Sequence, residues 1–200
     1  MVGLVWYVSY GSNLHAGRFG CYLSGGTPPG AARAYPGCRD TAPPRADRPW
    51  ELPGGVYFTT HSPVWDGGRA FYDPSLPGVA AGRAYLVTVG QFSDVAAQEM
   101  YREPGEDLDL LTVLATGRAE LGPGRYETLV LVGEADGCPA LTFTAPWRAD
   151  EVRHTSPSAA YLRMLAGGLR ETWSWTPERV AAHLAGTTPF WTAGEIAALL

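Results

Sequence analysis

Apolar and polar positions divide the chain into a strand-rich first part and a helical last part. Leu4–Ser9 (LVWYVS) is a run of β-branched and aromatic residues and predicts a buried strand. The run breaks at Tyr10-Gly11-Ser12-Asn13, and a helix is expected from about Leu14 to Leu23, capped by Ser12 or Asn13. From Gly25 to Pro53 the chain is rich in Gly, Pro and Arg. Irregular structure laid over the core is expected there, because Tyr35 and Trp50 need burial. Gly55–Thr60, Arg69–Tyr72 and Arg83–Val89 read as strands. Ser93-Asp94 opens a helix running to about Arg102. Tyr126–Val132 and Ala140–Thr144 form a hairpin around the turn Asp136-Gly137. Helices follow at Ser158–Thr172, Pro177–Ala185 and Thr192–Leu200. Thr176 before Pro177, and Thr192 with Glu195 three residues on, are helix-start signals.

Strands first and helices last point to the α+β class: a mixed β-sheet or small barrel surrounded by helices. At 200 residues one domain covering 1–200 is expected, its C-terminal part helical from about residue 157. Apolar residues make up 46% and charged residues 18%, an ordinary globular composition. The net charge of -5 with scattered Arg gives no footprint for nucleic acid or an anionic membrane. All 15 basic residues are Arg. The absence of Lys excludes Schiff-base chemistry, a P-loop lysine and a Ser–Lys dyad. Cys21, Cys38 and Cys138 are widely spaced with no CxxC, which argues against a disulfide framework or a structural zinc site. Leu4–Ser9 is far too short for a signal core, and no apolar segment approaches a membrane span. A cytoplasmic protein is expected.

The chemistry of interest begins at the break after the first strand. A turn of Gly-Ser-Asn leading into a helix leaves N–H groups that carry partial positive charge and favour a carboxylate or an oxyanion. The same turn also serves as an ordinary structural cap.

Tyr10-Gly11-Ser12-Asn13-Leu14, directly after a first strand, resembles the hallmark of the gamma-glutamylcyclotransferase family. Later stretches are similar to family patterns in the same order. Trp65-Asp66-Gly67-Gly68-Arg69-Ala70 resembles W-x-G-G-x-A, and Gly82-Arg83-Ala84-Tyr85 resembles a G-x-x-[YW] strand. The spacing from Gly82 to Glu99 equals that from the strand glycine to the family's catalytic glutamate. Tyr126 stands where the family has a site tyrosine. Pro157-Ser158-Ala159-Ala160-Tyr161, with Gly168 and Glu171, is similar to its P-S-x-x-Y helix. The sequence departs from the family's L-D-x-x-E-G, with Ala96 for the Asp and Met100 for the Gly. Roughly twenty extra residues lie between Glu99 and Tyr126 relative to short members of the family.

The resemblance implies a cyclotransferase that closes a γ-glutamyl amide on itself, releasing 5-oxoproline and a free amine. Glu99 is then the general acid and base. Tyr10, Gly11, Ser12, Asn13, Leu14, Tyr126 and Tyr161 are the implied substrate-binding residues, and the reaction requires no metal or cofactor. A small-molecule γ-glutamyl substrate is the expected partner. The alternative is a catalytically silent module on the same fold that binds a small ligand or a protein. Glu103, Glu106, Asp107 and Asp109 are rival carboxylates. Cys21 is read as a small buried residue, and Trp50, Trp173 and Trp175 are candidate walls on the leaving-group side.

Overall fold

A computed structural model describes residues 3–28 and 34–200; part of the Gly25–Pro53 segment, 29–33, lies outside the described residues. The chain order is β1 (Leu4–Ser9), a 3-10 turn (Ser12–Leu14), α1 (Ala16–Ser24), β2 (Ala46–Pro53), β3 (Gly55–Ser62), β4 (Gly67–Asp73), β5 (Val79–Thr88) and α2 (Val89–Glu99). It continues with α3 (Leu111–Thr116), β6 (Arg118–Glu120), β7 (Thr128–Ala135), β8 (Cys138–Thr144), α4 (Ala159–Trp173), α5 (Pro177–Ala185) and α6 (Ala193–Ala197), with a second 3-10 turn at Ala149–Glu151.

The strands build a mixed six-stranded sheet in the order β2-β5-β1-β8-β7-β6, and β3 and β4 form a separate hairpin. β1 is central. It runs antiparallel to β5 and parallel to β8. Its alternating side chains enter different layers. Val5 and Tyr7 join Phe19, Tyr22, Phe92, Val95 and Val113 under α1, α2 and α3. Trp6, Val8 and Tyr10 join Phe58, Tyr72, Leu162, Leu165 and Val180, which come from the β3–β4 hairpin, α4 and α5. With both faces covered, β1 reads as a continuous apolar run rather than an alternating one. Each large side chain fully buried in these layers contributes about 1.5–3 kcal/mol.

Several elements depart from the sequence reading. β2 lies where irregular structure was expected. Pro49 and Pro53 read as strand breakers, yet β2 is an edge strand, where a missing N–H is tolerated. Trp50, on β2, is half-buried and lies over Gly133. α1 begins at Ala16 instead of Leu14. Neither Ser12 nor Asn13 caps it, and its N-cap position is His15. The α1 N-terminus is held instead by Glu171 from α4, whose carboxylate accepts from Ala16 N–H at 3.0 Å. α2 starts earlier than Ser93. Thr88 caps it and forms a reciprocal box with Gln91. Asp94 is buried and pairs with Arg39 at 3.0 Å. The long segment after Glu99 supplies α3 and the added edge strand β6. The β7–β8 hairpin turns at Asp136 and Gly137, whose φ values of 53° and 70° suit the tight turn expected there.

Two close approaches place the site. A Cβ on Gly168 would lie 2.5 Å from the Leu14 carbonyl carbon, so α4 seats directly against the 3-10 turn. A Cβ on Gly68 would lie 2.3 Å from Thr155 O, so β4 lies against the chain entering α4.

Candidate active site

The C-terminal end of β1 opens into a cleft enclosing about 620 Å³, including its mouth. Its floor is the turn Tyr10–Asn13. Two residues of β5, both from the Gly82–Tyr85 stretch, fix that turn. Tyr85 donates its hydroxyl to Asn13 O at 2.8 Å, and Arg83 donates to Leu14 O at 3.1 Å. Arg83 also reaches Asp47 and Glu171, whose carboxylate is the one that holds Ala16 N–H. The separate sequence motifs therefore converge on one turn and immobilise its backbone.

Glu99 enters the cleft from the last residue of α2. Asn13 Nδ2 donates to Glu99 Oε1 at 3.2 Å and to the Tyr7 hydroxyl at 3.3 Å. Burial first, and the negative charge of Glu99 second, raise the phenols of Tyr7, Tyr22 and Tyr35. These tyrosines are therefore neutral around the carboxylate, the Tyr7 hydroxyl accepting from Asn13 and that of Tyr35 from Arg18. Ala96 is fully buried under the sheet, where an ionised carboxylate would lack water. Met100 ends α2 with φ -79°, and Tyr101 takes the left-handed conformation at φ 59° that a glycine usually supplies after a helix.

Tyr161 comes from the first turn of α4, positioned by the Ser158 cap. Burial raises its phenol, and the backbone groups of Ala70 and Ser12 that face its hydroxyl oppose that shift. Trp65 stacks on its ring at 5.0 Å between centroids. Tyr126 donates to Ala70 O at 3.0 Å. Ala70 thus serves both tyrosines. Tyr126 has φ 61°, an uncommon conformation for a bulky residue. Buried Glu127 pairs with Arg102 and accepts from Gly124 N–H at 2.6 Å, which ties down the loop that presents Tyr126.

Gly11 has φ -109°, so the positive φ that would demand glycine is absent. The constraint is steric, since a Cβ there would stand 3.3 Å from the Tyr161 hydroxyl. Tyr10 lines the cleft, but its hydroxyl is committed to Phe143 O at 2.8 Å. Leu14 is a correction: it does not line the cleft but is buried in the layer beneath α4. The rival carboxylates at Glu103, Glu106, Asp107 and Asp109 are outside the cleft, as are Cys21, Trp50, Trp173 and Trp175.

The sequence reading missed the cations. Arg18, Arg69 and Arg125 all line the cleft. Arg18 is 3% exposed and donates one bond to Tyr35 at 2.7 Å, while its Nε and one terminal nitrogen have no partner. Its guanidinium lies 4.9 Å from the Trp65 ring centroid. A signal was present: Arg18 precedes Phe19 and shares a helix face with Tyr22, an otherwise apolar stripe.

The geometry matches solved structures of known fold. A solved structure named gamma-glutamyl cyclotransferase superposes with a TM-score of 0.54 at 16% identity, covering 98% of this chain and 97% of that one. The fold is that of a gamma-glutamyl cyclotransferase. An uncharacterized protein from Homo sapiens, solved by ensemble refinement of a crystal structure, matches this cyclotransferase fold with the same TM-score and identity over 98% of both chains. Histone deacetylase 5 of Arabidopsis thaliana is 30% identical over 199 residues, which cover 90% of this chain. The chain spans 30% of that relative's length. No family model matches. Among the described residues no cluster of three or more His, Cys, Asp or Glu is placed to hold a metal ion, and no helix is long and apolar enough to cross a membrane.

Proposed function

We propose that the chain is an intramolecular cyclotransferase that releases 5-oxoproline and a free amine from a γ-glutamyl amide. The observation that carries this reading is the placement of Glu99 in the cleft, hydrogen-bonded by Asn13 from the turn that ends β1. The two reacting groups belong to one substrate, so positioning supplies much of the acceleration.

Glu99 takes a proton from the substrate's α-ammonium. The freed amine attacks the γ-carbonyl carbon and the ring C–N bond forms. The resulting oxyanion is met by N–H groups at Gly11–Asn13, because the turn's own backbone bonds are donated by Leu14 and His15, which follow them. Glu99 returns the proton to the leaving nitrogen as the original amide bond breaks, then carries the surplus proton of the ring nitrogen to the released amine, which departs as an ammonium. The α-carboxylate belongs against Arg18, whose unpaired buried nitrogens supply the charge-assisted donors. Tyr126 and Tyr161 wall the glutamyl chain and fold it for closure.

Glu99→Gln is the test. Gln keeps the size but takes up no proton, so 5-oxoproline release from a panel of γ-glutamyl compounds should fall by about two to four powers of ten. Thermal stability should change little. Release near the wild-type rate would assign the chemistry to another group and leave this reading without its carrier.

A further inference from the structure

α2 buries a polar stripe. Gln91, Asp94 and Gln98 recur at helical spacing, and all three are shut away from water. Their partners come from the chain around Arg39. Gln91 donates to Asp40 O at 3.2 Å and to Ala42 O at 2.8 Å. Asp94 accepts from Arg39 N–H at 2.8 Å and from Arg39 Nε at 3.0 Å. Gln98 reaches Cys38 Sγ at 3.9 Å. The segment 38–42 is thereby stitched along α2. Arg39 stands on this base and reaches further. One terminal nitrogen donates to Gly105 O at 3.0 Å and the other to Asp107 at 2.6 Å. Both acceptors belong to the segment that follows Glu99. That segment turns back at Tyr101, whose φ is 59°, and runs beside α2 until Leu108 N–H donates to Ser93 Oγ at 2.9 Å. A Cβ on Gly90, near the start of α2, would lie 3.4 Å from Asp107 Oδ1. Glu99 is the last helical residue before this bend, and helix ends fray unless something holds them. One guanidinium ties the chain on both sides of the bend, to Asp94 before it and to Gly105 and Asp107 after it.

We propose that Arg39 is a positioning residue that acts through Glu99, holding the bend so that the carboxylate stays against Asn13 and within reach of the reacting nitrogen. The assignment rests on the cyclotransferase reading of the cleft. Arg39 is not part of the cleft wall, so its effect on the reaction passes through the chain it staples. The role needs the planar fork of an arginine. A lysine there still offers a cation to Asp94, but a single ammonium does not span Asp94, Gly105 and Asp107 together.

Arg39→Lys is the test, because Asp94 keeps a cation while the returning segment loses the fork. Arg39→Gln would instead strand a buried carboxylate and destabilise the whole fold. Misplacing a reacting group by about 1 Å costs up to roughly 100-fold, so kcat for 5-oxoproline release should fall about 10- to 100-fold while KM moves by less than about twofold. In a Glu99→Gln background the same substitution should change the residual rate by less than about twofold, since the group it positions has already lost its chemistry. An unchanged kcat, a loss carried by KM, or the same loss in both backgrounds would overturn the proposal. Should Arg39→Lys lose its folded circular dichroism, Asp107→Asn is read in the same two backgrounds, because it leaves the Arg39–Asp94 pair whole. There a fall in kcat of at least about threefold, absent from the Glu99→Gln background, supports the proposal, and an unchanged kcat overturns it. If the wild-type protein turns over none of the γ-glutamyl compounds, the cyclotransferase reading fails, and hydrogen exchange decides the staple separately. Exchange quickened in Arg39→Lys at the amides of Met100, Arg102 and Leu108 but not in β1 supports it. Exchange unchanged at those amides, or quickened throughout the protein, overturns it.

Discussion

At the residue scale, the turn after β1 works through its backbone and its clearances. Gly11 is extended, so a larger residue there suffers from crowding and not from a forbidden φ. A Cβ would already stand 3.3 Å from the Tyr161 hydroxyl, and the branched methyls of valine have no room beside it. Gly11→Val should therefore displace Tyr161 and block the floor of the cleft. Removing one oxyanion donor costs about 3–4 kcal/mol in other enzymes, so 5-oxoproline release should drop by two or more powers of ten. Ser12→Ala keeps the N–H that faces Tyr161 and removes only a hydroxyl, which caps no helix here. Its loss should stay within about 0.5 kcal/mol of stability and cost far less activity. Paired measurements of thermal unfolding and product release check both variants. Activity in Gly11→Val that falls only in step with the folded fraction would make the turn a structural cap.

At the element scale, the device that holds the site is the contact between α4 and the turn. Gly168 lies where a Cβ would come within 2.5 Å of Leu14 backbone, so Gly168→Ala must push the helix and the turn apart. Overpacking of this kind costs about 1–3 kcal/mol. A lowered unfolding midpoint together with an increased KM should follow, since Tyr161 rides on the same helix. An unchanged midpoint would show that the contact yields without cost. This contact also marks how far the sequence could be read. Leu4–Ser9 and Pro177–Ala185 were legible to the residue, because one is a continuous apolar run and the other has Thr-Pro at its start. Gly168 and Glu171 were legible only as a resemblance. Their physical reasons, a close approach and a cap supplied to α1, join residues more than 150 positions apart. β2 was hidden by its prolines, which an edge strand accommodates. Glu99 was singled out only through a resemblance in its spacing from Gly82, because an acidic residue at a helix end otherwise reads as a solvated charge. The arginines went unread because a lone cation on a helix ordinarily faces water, and only tertiary packing turned Arg18 inward.

At the scale of the whole molecule, the layers are joined through β1, and each draws on both halves of the chain. One layer holds Val5 and Phe143, and the other holds Trp6 and Ile196. We expect a single cooperative unit, so a perturbation far from the cleft should reach the global unfolding transition. His183 on α5 supplies one. Partial burial, with the charge of Arg179 one turn away as the second cause, lowers its pKa below the ordinary 6.5. Its ring packs edge-on to Trp175 at 5.2 Å between centroids. The sign follows from linkage: the folded protein holds His183 neutral, whereas the unfolded chain takes up a proton as pH falls through 6.5. Below that pH the unfolded state gains protons that the native state resists, and stability declines until the folded pKa is passed. Wild-type protein should therefore lose midpoint between pH 7.5 and 5.5. The near-ultraviolet signal of Trp175 and the far-ultraviolet backbone signal should move together if the layers are one unit. His183→Gln, neutral at both pH values, should show a smaller drop over the same interval. An equal drop in the variant would assign the acid sensitivity to other groups, and a Trp175 transition that precedes the backbone signal would separate the helical layer from the sheet.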